Sequence, residues 1–126
     1  MEKVDNKDII KIPYWALHQM VDDENPDAYA EIYASINKLG ILYPLIVVNT
    51  TVGAWKMYKK HHNPDILDPP DAFTDTDSVL RIQGGNQRYR AGLDLGVKDF
   101  DCIVVNSTIE AEQLVTRQRK ETKNRW

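Results

Sequence analysis

The run ILYPLIVVN at residues 41–49 constrains the fold more than any other stretch of this chain. Its apolar residues are consecutive rather than alternating, and they are rich in β-branched types. The run is too short for a helix, so it predicts a strand covered on both faces. Such a strand lies centrally in a sheet and needs other elements on either side. A chain of 126 residues can supply them within a single domain.

The flanking sequence provides those elements. IIKIP, stopped by Pro13, reads as an edge strand or extended arm. After VDDENPD comes a helix with Asn25 as cap, Pro26 at its first position, and Tyr29, Ile32, Tyr33, Ile36 and Leu39 at three- and four-residue spacing, ending at Gly40. Val79 to Gln83 predicts a second strand, followed by a helix from Gln87 to about Leu95 that Gly96 terminates. FDCIVV, Phe100 to Val105, predicts a third. Ser107 and Glu110 form a capping box for a last helix over about residues 108–123, with Ala111, Leu114 and Val115 apolar and a basic end. Residues 50–78 read as a long insertion between strands. Its prolines and aspartates leave room for one short helix or hairpin at Ala54 to His61, and its length points to a lid or a binding surface. The expected order is strand, helix, strand, insertion, strand, helix, strand, helix: a compact single-domain α/β or α+β fold over residues 1–126.

Composition narrows the class. Hydrophobic residues are 42% and charged residues 28% of the chain, the usage of a folded protein rather than a disordered or fibrous one. A net charge of −3 gives no general basic field for coating nucleic acid. The average conceals an asymmetry: Asp65, Asp68, Asp71, Asp75 and Asp77 cluster in the insertion, while Arg117, Arg119, Lys120, Lys123 and Arg125 crowd the C-terminal end. Cys102 is the only cysteine, which excludes an intrachain disulfide and a Cys-rich zinc site, and it reads as a core thiol. With no apolar run of signal-peptide or membrane-span length, the expectation is a cytoplasmic protein without a membrane partner.

The chemistry concentrates at GGNQRYRAGLDLG, residues 84–96. Gly84 and Gly85 permit a sharp turn and close approach of a ligand, and Asn86 stands where a helix N-cap belongs. The N–H groups of Gln87, Arg88 and Tyr89 then have no intrahelical acceptor and, with the helix dipole, form an anion site. At about 100° per residue, Arg88 falls within the apolar arc of Ala91, Gly92 and Leu95, whereas Arg90 and Asp94 lie opposite and within pairing distance. A guanidinium on a buried face needs a partner, which makes Arg88 the candidate for ligand contact and Arg90 a secondary one. The alternative is that Arg88 pairs with an aspartate or with sheet carbonyls and the glycines merely turn the chain. The segment is neither a Walker loop nor GxGxxG.

Other groups carry weaker signals. His61 and His62 with Asp65 and Asp68 offer divalent-metal ligands, or a solvated loop. Trp55, Tyr58, Lys56, Lys59 and Lys60 mix aromatic and basic groups as single-stranded nucleic-acid sites do, or as an insertion anchored by its aromatics does.

IIKIPYWAL, then SINKLGILYPLIVV, then GGNQRYRAGLDLG resembles the N-terminal domain of the ParB/sulfiredoxin-like superfamily. Its box G-x-x-R-x-x-A is matched at Gly85, Arg88 and Ala91, and an upstream helix-strand unit at Ser35, Ile36, Gly40, Pro44 and Val47. The resemblance implies a small mixed sheet with helices and a nucleotide cradled at Gly84, Gly85, Asn86, Gln87, Arg88 and Tyr89, with Pro44, Arg90, Arg117 and Arg119 as secondary residues. It also implies a nucleoside triphosphate, ATP or CTP, accompanied by Mg2+. Hydrolysis or phosphoryl transfer would draw on Glu110, Glu112 or an aspartate of the insertion. Members of the superfamily include nucleases, so a metal-dependent DNA nuclease is an alternative. A non-catalytic, phage-type regulator that grips DNA or a host protein, alone or as a homodimer, is another. Two departures refine the expectation. Sulfiredoxins carry a nucleophilic cysteine where this chain has Asn86, which argues against that activity. Partition proteins have an acidic residue there, a glutamine at the Tyr43 position, and further DNA-binding and dimerisation domains, so centromere binding and spreading are not expected.

Overall fold

A computed structural model of the chain describes residues 8–21 and 25–122. Five strands form one sheet in the order β1-β5-β3-β4-β2. The strands are β1 (Ile10–Pro13), β2 (Leu17–Gln19), β3 (Leu45–Thr51), β4 (Ser78–Gly84) and β5 (Asp99–Val105). β1 pairs antiparallel with β5, β5 parallel with β3, β3 antiparallel with β4, and β4 parallel with β2. The sheet is therefore mixed. β3 occupies its centre, and residues 45–48 are all buried, as consecutive apolar residues require.

Alternate residues of β3 enter different cores. Leu45 and Val47 join Ile12, Leu17, Ile82, Tyr89, Phe100 and Cys102 on one face. Ile46 and Val48 join Ile103, Val105, Ala111 and Leu114 on the other. Helix α3 (Asn86–Asp94) covers the first face, with α1 (Pro26–Leu39) packed outside it through Ile32, Ile36 and Ala91. Helix α4 (Thr108–Thr122) covers the second face. α1 starts as its sequence dictates: the Asn25 side chain accepts from the amides of Asp27 and Ala28, both at 3.1 Å, and Gly40 closes the helix at φ 77°. Ser107 accepts from the Glu110 amide at 3.3 Å at the start of α4. Lys123 and Arg125 of the basic end lie outside the described residues.

Two elements differ from the sequence reading. β2 was not anticipated, because three residues between a 3-10 turn and a polar segment carry too little periodicity to register. The 50–78 segment holds a full helix, α2 (Val52–His62), longer than the Ala54 to His61 piece expected and started by the Thr51 hydroxyl, which accepts from the Ala54 amide at 3.1 Å. Trp55 is fully buried with Met20, Val52, Ile66 and Val79, and its indole N–H donates to the Leu67 carbonyl at 2.9 Å. The remainder of the segment is tied back by the Gly53 amide on the Asp75 carbonyl (2.9 Å) and the Leu67 amide on the Met20 carbonyl (2.8 Å). Exposed ion pairs Lys56–Asp75 and Lys59–Asp68, both 2.8 Å, add a little more. The insertion is thus anchored by its aromatics. Trp55 is not available to stack on a nucleic-acid base.

Candidate functional site

The β4–α3 turn works through the absence of two Cβ atoms. Gly85 has φ 97°, and a Cβ there would lie 2.6 Å from Leu45 Cδ2 and 2.7 Å from Arg88 Nη2. A Cβ on Gly84 would meet Val115 Cγ2 at 2.6 Å. The two glycines let the start of α3 tuck between β3 and α4, and only glycine adopts that φ at low cost.

Gly85, not Asn86, is the N-cap of α3. Because the left-handed glycine completes the turn one residue earlier, Asn86 becomes the first helical residue and its side chain turns inward. Its Oδ1 accepts from the Met20 amide at 2.8 Å, and its Nδ2 donates to the Ile82 carbonyl at 3.0 Å. Asn86 therefore stitches the end of β2 to the end of β4. Tyr89 also departs from expectation. Its N–H is the first to make a helical bond, to the Gly85 carbonyl at 2.8 Å, and its ring packs on Phe100 while its hydroxyl donates to the Tyr14 carbonyl at 2.8 Å. The residue belongs to the core. The amides of Gln87 and Arg88 have no acceptor among the described residues, as first-turn amides do not.

Arg88 is 8% exposed, as its place in the apolar arc predicts. It does not require a carboxylate: Nη1 donates to the carbonyls of Tyr43 (3.0 Å) and Pro44 (3.3 Å), and Nη2 to Gln118 Oε1 (2.7 Å). Gln118 returns a bond from Nε2 to the Pro44 carbonyl at 3.0 Å. Burial lowers the guanidinium to a pKa of about 10, so it stays charged at neutral pH, and among the described residues its hydrogen-bond partners are neutral oxygens. Arg88 and Gln118 together brace α4 against the start of β3.

A cleft of about 600 Å³ opens above this turn. Gly84, Gly85, Asn86, Gln87 and Arg88 form its floor, and Glu112, Thr116, Gln118 and Arg119 of α4 form one wall. Met20, Val21 and Ile32, with Val115 of α4, supply its apolar lining. The Gln87 side-chain nitrogen is buried here without a hydrogen-bond partner. Beside the cleft, Tyr58 of α2 donates to Glu112 Oε2 at 3.0 Å and accepts from Gln83 Nε2 at 3.3 Å. Arg81, buried beneath the Tyr58 ring at 4.5 Å, donates to Gln83 Oε1 at 2.9 Å and Thr108 Oγ1 at 3.1 Å.

The secondary candidates separate. Arg119 lines the cleft, whereas Arg117 lies on the outer face of α4 with Ile109, Gln113 and Lys120. Pro44 contributes its carbonyl to Arg88. Arg90 is exposed, over the Tyr29 ring at 5.3 Å, and Asp94 accepts the Tyr29 hydroxyl, so both meet α1. His61, His62 and Asp65 are exposed, and His62 stacks on Tyr58 at 4.2 Å. Among the described residues no group of three His, Cys, Asp or Glu is placed to hold a metal. Cys102 is fully buried and its thiol is pushed up to about 12, chiefly by burial, which suits a core residue. No helix among the described residues is long and apolar enough to cross a membrane. Met20, Val21, Gln83, Thr116 and Gln118 escaped the sequence reading. The i, i+4 spacing of Glu112 and Thr116 puts them on one helix face, but nothing local marks which face looks onto the turn.

Neither protein-family models nor curated proteins give a match to the chain. Solved structures do. Sulfiredoxin from Arabidopsis thaliana aligns at 17% identity and a TM-score of 0.50, over 86% of this chain and 97% of that one. The C-terminally truncated chromosome-partitioning protein ParB from Caulobacter crescentus, complexed with CTP-γ-S, aligns at 17% identity and a TM-score of 0.56, over 90% of this chain and 53% of that one. The same protein complexed to the centromeric parS site aligns at 17% identity and a TM-score of 0.51, over 90% and 48%. The chain spans about half the length of these ParB structures. At that identity the likeness concerns architecture, which agrees with the mixed sheet and four helices seen here: the chain has the ParB/sulfiredoxin-like fold.

Proposed function

We propose that this chain is a nucleotide-binding domain that holds the phosphates of a nucleoside triphosphate at the β4–α3 turn. The observation that carries the reading is a set of unused donors gathered in one cleft: the first-turn amides of Gln87 and Arg88 and the partnerless Gln87 side-chain amide. Helix N-termini attract anions through their free amides and dipole, and the Arg88 and Arg119 guanidinium groups add positive charge to the same cleft. The cleft volume of about 600 Å³ suits a nucleotide-sized ligand. A structural neighbour bound to CTP-γ-S supports the same ligand class. Magnesium enters as the counter-ion that arrives with the triphosphate. Glu112 is the only carboxylate among the described cleft residues.

Calorimetric titration with CTP, ATP and GTP in the presence of magnesium tests the reading. Micromolar binding of at least one, weakened roughly tenfold or more by Gln87→Ala and by Arg119→Ala, is the expected outcome. No binding of any of the three, or binding indifferent to both substitutions, would sink it.

A further inference from the structure

Helix α4 lies along the cleft like a ruler. At one end Gln118 reaches Arg88 at 2.7 Å and the Pro44 carbonyl at 3.0 Å. In the middle Val115 abuts Gly84, and at the other end Glu112 meets Tyr58 at 3.0 Å. The seven residue steps from Glu112 to Arg119 correspond to about 10 Å of helix. The cleft therefore has two poles, cationic and donor-rich around Arg88 and Arg119, acceptor-bearing around Glu112. A nucleoside triphosphate is bipolar in the same sense, with a polyanion at one end and hydroxyl groups at the other.

Resting on the nucleotide reading, we propose that Glu112 recognises the sugar of the bound nucleotide and selects ribose over deoxyribose, with Tyr58 as its positioning residue. A carboxylate only accepts hydrogen bonds and repels phosphate oxygens, so it meets such a ligand through a donor. Vicinal sugar hydroxyls are the donors that acidic residues take in dinucleotide-binding folds. The neighbours of Glu112 in the cleft, Gln83 and Thr116, are polar and suit a sugar, whereas the apolar patch of Met20, Val21 and Ile32 suits the face of a base. The carboxylate is also held ready. Tyr58 fixes Oε2, leaving Oε1 to accept, and Tyr58 is itself fixed by Gln83 and by Arg81 beneath its ring. The α2 insertion thereby has a task at the site: it delivers the hydroxyl that orients Glu112.

The test is calorimetric titration of paired ribo- and 2′-deoxyribonucleoside triphosphates, cytidine and adenosine forms, against the wild-type chain, Glu112→Ala and Tyr58→Phe. The wild type should favour the ribose form by roughly tenfold or more. Glu112→Ala should bring the two forms close to equal affinity while leaving deoxy binding in place, and Tyr58→Phe should lower the ratio by a smaller factor. Glu112 is exposed, and Tyr58→Phe keeps the ring that packs against the Trp55 cluster and over Arg81, so the ratio reads sugar recognition rather than stability. Equal wild-type affinities for the two sugars overturn the proposal, as does a ratio unchanged in Glu112→Ala. If Glu112→Ala instead removes the magnesium dependence and keeps the ratio, the carboxylate serves the cation and the sugar assignment is overturned. Failure of the wild type to bind either form overturns the nucleotide reading itself, and this assignment with it.

Discussion

Arg88 lies on the buried face, and two of its acceptors are backbone carbonyls at the start of β3, as the alternative of pairing with sheet carbonyls expects. At about 100° per residue its spacing from Ala91 and Leu95 predicts that face from the sequence alone. Its acceptors, the Tyr43 and Pro44 carbonyls and Gln118, come from segments more than 29 residues away in either direction, so no local pattern announces them. Arg88→Ala removes the donor from the Tyr43 carbonyl and from Gln118 Oε1, while the Pro44 carbonyl keeps Gln118 Nε2, and should lower unfolding stability by ~2–4 kcal/mol in urea denaturation. A loss below ~1 kcal/mol would mean that the bracing is dispensable. Nucleotide binding by this variant has meaning only where the chain is still folded, which is why Gln87 and Arg119 are the sharper probes of the cleft. Asn86 teaches the same lesson in reverse. Its residue type reads as a cap, yet the left-handed Gly85 takes that place and frees the amide side chain for Met20 and Ile82.

At the level of elements, legibility followed periodicity. α1 announced both of its ends, and the consecutive apolar run of β3 predicted its central place. β2 has three residues and borrows its identity from β4, its parallel neighbour, so only the tertiary fold reveals it. α2 was half visible: Trp55 was readable as an anchor, but its burial depends on Met20, Ile66 and Val79, from three other segments. Trp55→Ala should cost ~3–5 kcal/mol and release the 63–77 loop from its carbonyl tether. Limited proteolysis cutting first within that loop, at protein concentrations where the wild type is resistant, is the expected signature. Simultaneous degradation of the whole chain would show that α2 is integral to the global fold and not a separable anchor.

For the molecule as a whole, burial shifts acids and bases in opposite directions: it raises the thiol and the tyrosines and lowers Arg81 and Arg88. Burial raises Cys102 and Tyr29 to about 12, and raises Tyr58 and Tyr89 as well. A group whose folded pKa exceeds its unfolded value contributes stability in full below the unfolded value and loses it as pH climbs through the folded one. The urea midpoint should start to fall near pH 9, as the thiol and then the tyrosines ionise in the unfolded chain, with Arg88, lowered to about 10, offsetting part of the loss above that pH. Cys102→Ala should soften the first part of that decline. A midpoint that does not fall between about pH 9 and pH 10 would show that the Cys102 thiol is not desolvated in the native state. The fold class was legible because it follows from the alternation of strands and helices. The cleft was legible only at its floor, because its walls come from residues 20–21, 32 and 112–119, brought together by topology.

The Asn86 bond to the Met20 amide joins positions 66 apart in sequence. The glycine turn and its helix form from adjacent residues, but the pocket they face exists only after the first strands have closed onto the sheet and the last helix has docked. Evolution acting on such a chain can therefore keep the recognisable box unaltered and still create or abolish a binding site from its two ends.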